Sequence, residues 1–260
     1  FSFILFLKFS ALFSQTTPLL SITTMFTKTL KYIILAFLIS THKTLPFAYV
    51  IRFYYQAFRG FFAHRFHYNA TKKNSFGYDS PKDLFTWVTL NSYVTPLEID
   101  MYMHKLNSTY FLDLDIARTK LLTRLFQTYW WSCYDNENGK FKKSHTLANV
   151  PYVPVGTVQC QFKRELKPFE KYKISSRILA WDRKWLFVIS KFVTAENKVN
   201  AIAITKYVFK VGRLTIAPEE YLRHCNFLNE ENERINEKNF QLVKYLVDTE
   251  DIEKIAEAVT

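Results

Sequence analysis

The sequence predicts an α+β fold in which one long helix and an antiparallel sheet share a core. Apolar residues recur at helical spacing from about Ser108 to Trp131. A series of strand-like segments follows, with only turns between them. Strands that succeed one another without an intervening helix pair antiparallel, which separates helix from sheet along the chain. With 260 residues, 48% of them hydrophobic, the chain can bury one sizeable core.

The helical segment has a broad apolar face, as expected for a helix enclosed by a sheet. That face is formed by Tyr110, Phe111, Leu114, Ala117, Leu121, Leu122, Leu125, Phe126 and Tyr129. Asp113 and Asp115 lie near the predicted N-terminus, where the helix dipole favours negative charge. One continuous helix over residues 108–131 is predicted, and at 1.5 Å per residue it would be about 35 Å long.

Five segments are predicted as strands of the antiparallel sheet. They are residues 87–94, which precede the helix, and residues 157–163, 171–181, 184–194 and 198–210, which follow it. Val158, Cys160 and Phe162 alternate with polar residues, which is the period of a half-buried strand. Turn residues at Trp181–Lys184 and Glu196–Asn197 separate the later segments and predict short connections between neighbouring strands.

A carboxylate, an imidazole and a helix N-terminus come together just before the helix. Asp100 and His104 lie in a short loop. Asn107 is a suitable N-cap, because its side-chain oxygen can accept from backbone N–H groups of the first turn. Those N–H groups and the helix dipole favour a developing negative charge. A carboxylate that faces such a helix end is a plausible hydrolytic arrangement.

Each of these residues also has an ordinary structural interpretation. Asp100 fits a strand-end or turn position, and His104 fits a loop histidine that bonds the backbone. Asn107 is favoured as a cap over a direct substrate contact. Asp115 and Arg118 are three residues apart on the helix, where they form a surface or dimer-interface ion pair.

The order and spacing of these motifs resemble a known family. The pattern is Asp100-x-x-x-His104-x-x-Asn107-x-x-Tyr110-Phe111-x-x-x-Asp115-x-Ala117-Arg118, followed by Phe162–Glu170 and Ile178–Asp182. Over roughly residues 85 to 215 the chain resembles the hotdog-fold acyl-CoA thioesterase superfamily. It is most similar to the branch around thioesterase superfamily member six and its fungal relatives, whose usual pattern is Asp, then His-x-Asn-Asn, Tyr-Leu and Glu-x-Ala-Arg.

The resemblance implies a hotdog fold, in which a curved antiparallel sheet wraps around one long central helix, and a homodimer. It also implies hydrolysis of a fatty acyl-CoA, or another acyl thioester, to free acid and thiol without metal or cofactor. Asp100 would act as general base or nucleophile, and His104 would orient the water or the carboxylate. Asn107, Ser108 and Tyr110 would contact the substrate.

Two residues depart from the family pattern at the expected oxyanion site. Met103 stands where many active members carry glycine after the Asp, and Leu106 stands at the first Asn of the pair. A second interpretation therefore stays open. In it the domain is a catalytically inactive hotdog that binds acyl groups or lipid, or an adaptor at a membrane.

Basic residues follow one face of the predicted sheet. They are Lys163, Arg164, Lys171, Lys173 and Arg177. This face either holds the phosphates of coenzyme A or is a solvated sheet edge. His64 and His67 lack a third ligand, so no metal site is expected. Neither G-x-S-x-G nor G-x-G-x-x-G occurs, which argues against a serine hydrolase of that type and against a dinucleotide-binding fold.

The formal net charge of +12 is unevenly distributed. Residues 217–260 contain 11 acidic and 5 basic residues, whereas no acidic residue occurs before Asp79. A basic, acid-free N-terminal third suggests contact with an anionic membrane surface. Nucleic acid is not expected as a partner, because the sequence has no zinc-finger spacing, no RNA-recognition signature and no basic recognition helix.

Two apolar runs, Tyr32–Ile39 and Leu45–Tyr55, flank the polar residues 40–44. Neither run reaches the roughly 20 apolar residues of a spanning helix. A marginal signal-anchor, an interfacial amphipathic hairpin, a transit peptide and a helix packed on the domain all stay open. Basic residues are denser after the runs, which favours a cytosolic domain on the endoplasmic reticulum, with mitochondria as the alternative.

Four regions follow from these patterns. Residues 1–60 are expected to form a membrane-anchor or targeting region, whose natural start we place at Met25. Residues 61–84 are expected as a linker, and residues 85–216 as the hotdog thioesterase-like domain. Residues 217–260 are expected as an acidic helical tail that docks through apolar residues, namely Phe240, Val243, Leu246 and Val247.

Overall fold

The computed structural model describes residues 24–195, 197–247 and 257–258. Within that part of the chain one sheet has the strand order β1-β3-β4-β5-β2, with every neighbouring pair antiparallel. Its strands are β1 (Val88–Tyr93), β2 (Val155–Phe162), β3 (Lys171–Trp181), β4 (Leu186–Thr194) and β5 (Val199–Tyr207). A separate ribbon pairs β6 (Phe209–Val211) with β7 (Leu214–Ile216). The prediction of α+β with an antiparallel sheet is confirmed.

The predicted strand 198–210 is divided in the structure. β5 ends at Tyr207, and Phe209 pairs with Ile216 in the ribbon instead of continuing the sheet. The N–H of Val208 donates to the carbonyl oxygen of Pro154 at 3.2 Å, which ties the chain at the point where it leaves the sheet. Sequence alternation does not reveal this change of partner, because both strands share the same period.

Seven α-helices longer than one turn are defined in the described residues. They are α1 (residues 24–41), α2 (Ala48–Gly60), α3 (Arg65–Thr71), α4 (Asn107–Leu125), α5 (Gln127–Asp135), α6 (Pro218–His224) and α7 (Glu230–Val243). The expected helix over 108–131 is therefore present as α4 and α5, and the prediction of one continuous helix is wrong at Phe126.

Phe126 departs from helical geometry, with φ −101° and ψ 20°, while the surrounding backbone hydrogen bonds persist. Its N–H donates to Leu122 and its carbonyl accepts from Trp130, both at 3.0 Å. The fully buried ring meets Phe209, Tyr221 and Phe227 edge-on. Packing among these distant aromatic residues accompanies the break, and no local signal at Phe126 predicts it.

The helices α4 and α5 form the centre of the core. α4 packs on β1 and β3 through residues that include Leu114 of the helix, Leu90 of β1 and Ile174 of β3, all buried. α6 closes the other end, where Tyr221 and Leu222 are fully buried. α7 lies against β3, and Phe240, Val243, Leu246 and Val247 pack around Leu179 and Phe187 as expected from the sequence.

The helix α2 packs along α4. The two helices approach closely at Gly60, where an added Cβ atom would lie 2.0 Å from the hydroxyl of Thr123. Tyr49 donates to Asp115 at 3.2 Å, and Arg52 donates to Asp113 at 3.0 Å. The last part of the predicted anchor region, α2, is thus packed on the domain.

The division into four domains stays a prediction. Within it, residues 61–84, expected as a linker, bury Phe61, Tyr68 and Leu84 in the core. Residues 1–23, which carry most of the segment before the expected start at Met25, lie outside the described residues, as does the end of the acidic tail at 248–256.

Among the described residues, no single helix has the length and hydropathy of a membrane span. A pair of helices, Thr24–Thr44 and Ala48–Thr71, meets those criteria together, with a bend of 54° between them.

Candidate active site

Residues Ile99 to Lys105 form a small hairpin between β1 and α4. Ile99 and Lys105 make an antiparallel bridge, and the N–H of Asp100 donates to the carbonyl oxygen of His104 at 3.0 Å. The N–H of Leu106 donates to the carbonyl oxygen of Glu98 at 2.7 Å, which closes the base. We call residues Glu98–Leu106 the site hairpin. It delivers Asp100 and His104 to the N-terminal end of α4.

The structure brings Asp100 and His104 together. His104 Nδ1 lies 3.2 Å from Asp100 Oδ2, and the other carboxylate oxygen accepts from the N–H of Tyr102 at 2.9 Å. Both side chains keep contact with solvent, with exposed fractions of 17% for Asp100 and 22% for His104. On its other side His104 Nε2 lies 3.9 Å from Glu165 Oε1. A carboxylate oriented by its own loop and by an imidazole can hold a water molecule for attack.

Met103 adopts φ +62°, the left-handed region that favours glycine. This is the position at which the sequence departs from the expected glycine. The hairpin keeps its hydrogen bonds despite the methionine, since the N–H of Met103 donates to the carbonyl oxygen of Asp100 at 3.1 Å. A non-glycine residue in this region costs roughly 1 kcal/mol, which the surrounding contacts offset.

The helix α4 begins at Asn107, with Leu106 in the N-cap position and no side-chain capping bond. The prediction that Asn107 caps the helix is wrong, because Asn107 is already the first helical residue. Asn107 and Ser108 are exposed on the first turn. Their side chains are free of a capping role there, and the first turn of a helix presents N–H groups without intrahelical partners.

Tyr110 lies in the core and not in an open site. Only 2% of its surface is exposed, and its ring packs between Phe162 and Phe192 at centroid distances of 5.0 and 4.9 Å. Burial raises the pKa of the Tyr110 phenol well above its ordinary value. The Tyr110 side chain therefore has almost no accessible surface for the substrate contact that the family resemblance implies.

Lys163 and Arg164 follow β2 and are exposed. Both of their backbone N–H groups donate to the carbonyl oxygen of Asn200, at 2.7 and 3.0 Å, which fixes the loop. Arg164 and Glu165 line a cavity of about 510 Å³. Because Glu165 also approaches His104, the basic loop and the site hairpin are neighbours. Lys171 lines the same cavity, so part of the basic strand face lies near the hairpin.

A buried ionic cluster lies beneath the site hairpin. Glu98 pairs with Lys43 at 2.9 Å and with Lys105 at 2.8 Å. Asp113 pairs with Lys43 at 3.4 Å, with Lys105 at 3.1 Å and with Arg52 at 3.0 Å. Sequence reasoning missed this cluster. A signal was present in Thr95-x-x-Glu98, which matches a capping box and forms one in the structure.

The cluster changes the proton affinity of its members. Burial by itself raises the pKa of Asp113, but the charges of Lys43, Lys105 and Arg52 outweigh it and hold that pKa well below its ordinary range. Burial lowers the pKa of the Lys43 ammonium group, and the nearby Lys105 charge adds to this effect, while the two carboxylates oppose it. Asp113 is thus held as a carboxylate by its surroundings.

Within the described residues no group of three or more His, Cys, Asp and Glu side chains is arranged to hold a metal ion. His64 stacks edge-on with Phe76 at 4.7 Å, which gives that histidine a packing role. The chemical groups at the site hairpin are the carboxylate of Asp100, the imidazole of His104 and the N-terminus of α4.

Comparison with known proteins shows which family the chain is similar to. The model of the thioesterase-like superfamily matches residues 94–223, which include the site hairpin, α4, strands β2 to β5 and nearly all of α6. A probable thioesterase of Saccharomyces cerevisiae is 37% identical over 220 residues, covering 82% of this chain and 87% of its own length. The protein THEM6 of Xenopus laevis is 27% identical over 126 residues, covering 48% of this chain and 54% of its own.

Among solved structures, the probable thioesterase YbaW of Escherichia coli is 17% identical with a TM-score of 0.43, covering 53% of this chain and 97% of its own. The fold and site define a hotdog protein, with an antiparallel sheet around central helices and a polar hairpin at the helix N-terminus. The chain belongs to the thioesterase-like superfamily.

Proposed function

We propose that this protein hydrolyses an acyl thioester to a free acid and a thiol at the site hairpin. The observation that carries the proposal is the pairing of Asp100 with His104, 3.2 Å apart, beside the N-terminus of α4. Family membership supports the same reaction class, since one relative of this chain, from Saccharomyces cerevisiae, is named a probable thioesterase.

In the proposed reaction the thioester carbonyl lies at the first turn of α4, near Asn107 and Ser108. Negative charge develops on the carbonyl oxygen during attack, and the free N–H groups of the helix end stabilise it. Asp100 acts either as the base that takes a proton from the attacking water, or as the nucleophile that forms a mixed anhydride, which water then hydrolyses to the free acid and the Asp100 carboxylate. His104 orients the water or the carboxylate, and the departing thiolate takes up the proton that the water gives up.

The proposed substrate class is acyl-CoA. Its support is the exposed basic loop at Lys163 and Arg164, next to Glu165 and therefore next to His104. Arginine and lysine suit phosphate groups because of their charge and donor geometry. The adjoining cavity of about 510 Å³ has further basic side chains at Lys167, Lys171 and Lys198.

The second part of the proposal is association with a membrane. Apolar side chains are exposed along α1 and α2, including Phe26, Ile33, Ile51, Tyr54 and Phe58. Lys28, Lys31 and Arg59 lie among them, and no acidic residue occurs before Asp79. Large exposed apolar surfaces with basic neighbours suit an anionic lipid surface. We propose the endoplasmic reticulum with the domain facing the cytosol, and mitochondria as the alternative.

We further propose a homodimer, on the expectation drawn from the hotdog resemblance. The rival function is a non-catalytic module that binds acyl groups or lipid, or serves as an adaptor at the membrane. Met103, in the left-handed region at the expected glycine position, is the observation that favours it.

A screen of acyl-CoA substrates of different chain length separates the two functions. Purified full-length protein in detergent should release free thiol from at least one chain length, with turnover in excess of the enzyme concentration. A binding module would instead retain acyl-CoA without consuming it. Binding without turnover across all chain lengths contradicts hydrolysis and supports the rival.

A further inference from the structure

Two adjacent residues of the N-terminal region reach the segment that leads into the site hairpin. Lys43 Nζ donates to the carbonyl oxygen of Tyr93 at 2.7 Å and to Ser92 Oγ at 3.0 Å, both at the end of β1. Thr44 Oγ1 lies 3.1 Å from Thr95 Oγ1. These contacts join residues about 50 positions apart, so the N-terminal region is attached to the approach of the hairpin.

Glu98 links Lys43 to the base of the hairpin. Its carboxylate pairs with Lys43 at 2.9 Å and with Lys105 at 2.8 Å, and it accepts from the N–H of Thr95 at 3.0 Å. Its carbonyl oxygen accepts from the N–H of Leu106 at 2.7 Å. One residue therefore holds both ends of the hairpin, and the ammonium group of Lys43 is one of its two charged partners.

Burial makes these contacts rigid. The side chains of Lys43 and Glu98 are each 4% exposed, and that of Lys105 is fully buried. In such surroundings a charged group without its partner costs several kcal/mol, so alternative positions of the hairpin base are disfavoured. Asp100 follows Glu98 by two residues. The backbone hydrogen bond between Glu98 and Leu106 is followed in the same hairpin by the one between Asp100 and His104.

We infer that Lys43 is a positioning residue for the Asp100–His104 pair: its ammonium group fixes Glu98, and Glu98 fixes the hairpin that carries both side chains. The inference rests on the proposed function of Asp100. It also makes the segment between α1 and α2 part of the site. The proposed membrane-binding helices and the hairpin are then mechanically coupled, with Lys43 as the side chain that contacts Glu98 directly.

The substitution Lys43→Met tests the inference while keeping the volume of the side chain. The cluster contains the cations Lys43, Lys105 and Arg52 and the anions Glu98 and Asp113, so the variant retains two of each sign. We expect it to fold for this reason. As a matched control, Arg65→Met removes a half-buried pair with Asp135 at 2.6 Å, away from the hairpin.

Two readouts are measured on full-length protein in detergent. In Lys43→Met the amide protons of Asp100, Lys105 and Leu106 should exchange at least about 10-fold faster, while amide protons of β4 change less. The kcat for the best acyl-CoA should fall by about 10-fold or more with little change in KM, since small displacements of catalytic groups are costly. Arg65→Met should lower the melting temperature but keep hairpin exchange and kcat within about 2-fold of wild type.

Unchanged exchange of the hairpin amides in Lys43→Met would overturn the inference, as would a loss of kcat equal to that in Arg65→Met. Absence of turnover in the wild-type protein would contradict the proposed function, and the exchange readout would still decide the role of Lys43. Lys43→Gln, which keeps a donor for Tyr93, is the second variant. Failure of both variants to fold would make Lys43 a residue of general stability and would also overturn the inference.

Discussion

The contacts of Asp113 show how individual side chains combine at this site. Asp113 accepts from Tyr172 and faces Lys43, Lys105 and Arg52, although it is fully buried. On the sequence alone it was assigned to the helix N-terminus, where the dipole favours it. In the structure α4 has no acidic residue in its first turn and Asp113 lies in the second, so the dipole contributes little there. Its charged and hydrogen-bonding partners come from the N-terminal region, the site hairpin and β3. Long-range ion pairs leave no periodic signal, which is why they were missed.

The depressed pKa of Asp113 predicts a specific acid sensitivity. Its pKa is lower in the folded protein than the ordinary 3.8, so the stabilisation is complete above that value and is lost as the pH falls below it. Asp113→Asn should lower the free energy of unfolding by roughly 3 kcal/mol or more at pH 7, as for other broken buried pairs. Urea unfolding at a series of pH values measures this difference, which should shrink below about pH 4.

Asp115→Asn provides the control for that prediction. Asp115 is 34% exposed and lies 3.5 Å from Arg118, so its removal should change stability by less than about 1 kcal/mol. A stability difference between wild type and Asp113→Asn that stays constant from pH 7 to pH 2 would contradict the assignment of Asp113 as a carboxylate in the folded protein.

At the scale of elements, periodicity predicted which segments are helices and strands better than it predicted where they end. The five strands of the main sheet and their antiparallel pairing followed from alternation and turn residues, whereas their order in the sheet did not. The break between α4 and α5 and the transfer of Phe209 to the ribbon did not. Both depend on the side-chain environment of Phe126 and Phe209, whose rings meet at 5.4 Å. Such tertiary contacts override the local helical and strand patterns.

The close approach of α2 and α4 gives a prediction at this scale. Alanine is normally the better helix former, but at Gly60 its Cβ would meet the hydroxyl of Thr123 at 2.0 Å and the Cβ of that residue at 2.6 Å. Gly60→Ala should therefore destabilise the protein by about 1–3 kcal/mol, measured by urea unfolding. Arg59→Ala, one residue earlier on the exposed face, should change stability little; an equal or greater loss there would contradict the packing argument.

At the scale of the whole molecule, the apolar faces of α1 and α2 stand out from the rest of the surface. Ile51 on α2 is 66% exposed. If this face enters lipid, Ile51→Ser should weaken partition to vesicles containing phosphatidylserine by about 10-fold, the value of one buried aliphatic side chain. Vesicle sedimentation measures the partition. Release by high salt alone would indicate an electrostatic contact and not an inserted segment.

Leu242 on α7 provides a matched control, because it has the same exposed fraction of 66% but lies at the opposite end of the chain. Leu242→Ser should leave vesicle binding unchanged. Equal loss in both variants would show that general surface hydrophobicity governs binding. Wild-type protein that stays in the supernatant at low salt, with anionic vesicles present, would refute membrane association through α1 and α2.

The candidate site was partly predictable. The motif from Asp100 to Arg118 located the loop that carries Asp100 and His104, and the structure adds that this loop is a hairpin in which the two side chains lie 3.2 Å apart. The predicted N-cap, Asn107, was wrong by one position, because Leu106 occupies the N-cap. The ring of Tyr110, predicted to contact substrate, is buried in the core. The residues that support the hairpin, Lys43 and Glu98, required the three-dimensional structure.

In the proposed function Asp100 performs the chemistry, and Asp100→Asn tests this role most directly. The asparagine keeps the shape and an oxygen acceptor for the N–H of Tyr102, but it removes the charge and the basicity. On a long-chain acyl-CoA, kcat should fall by on the order of 10²-fold or more, with little change in melting temperature, and His104→Ala should cost less. Equal rates for wild type and Asp100→Asn would contradict the account.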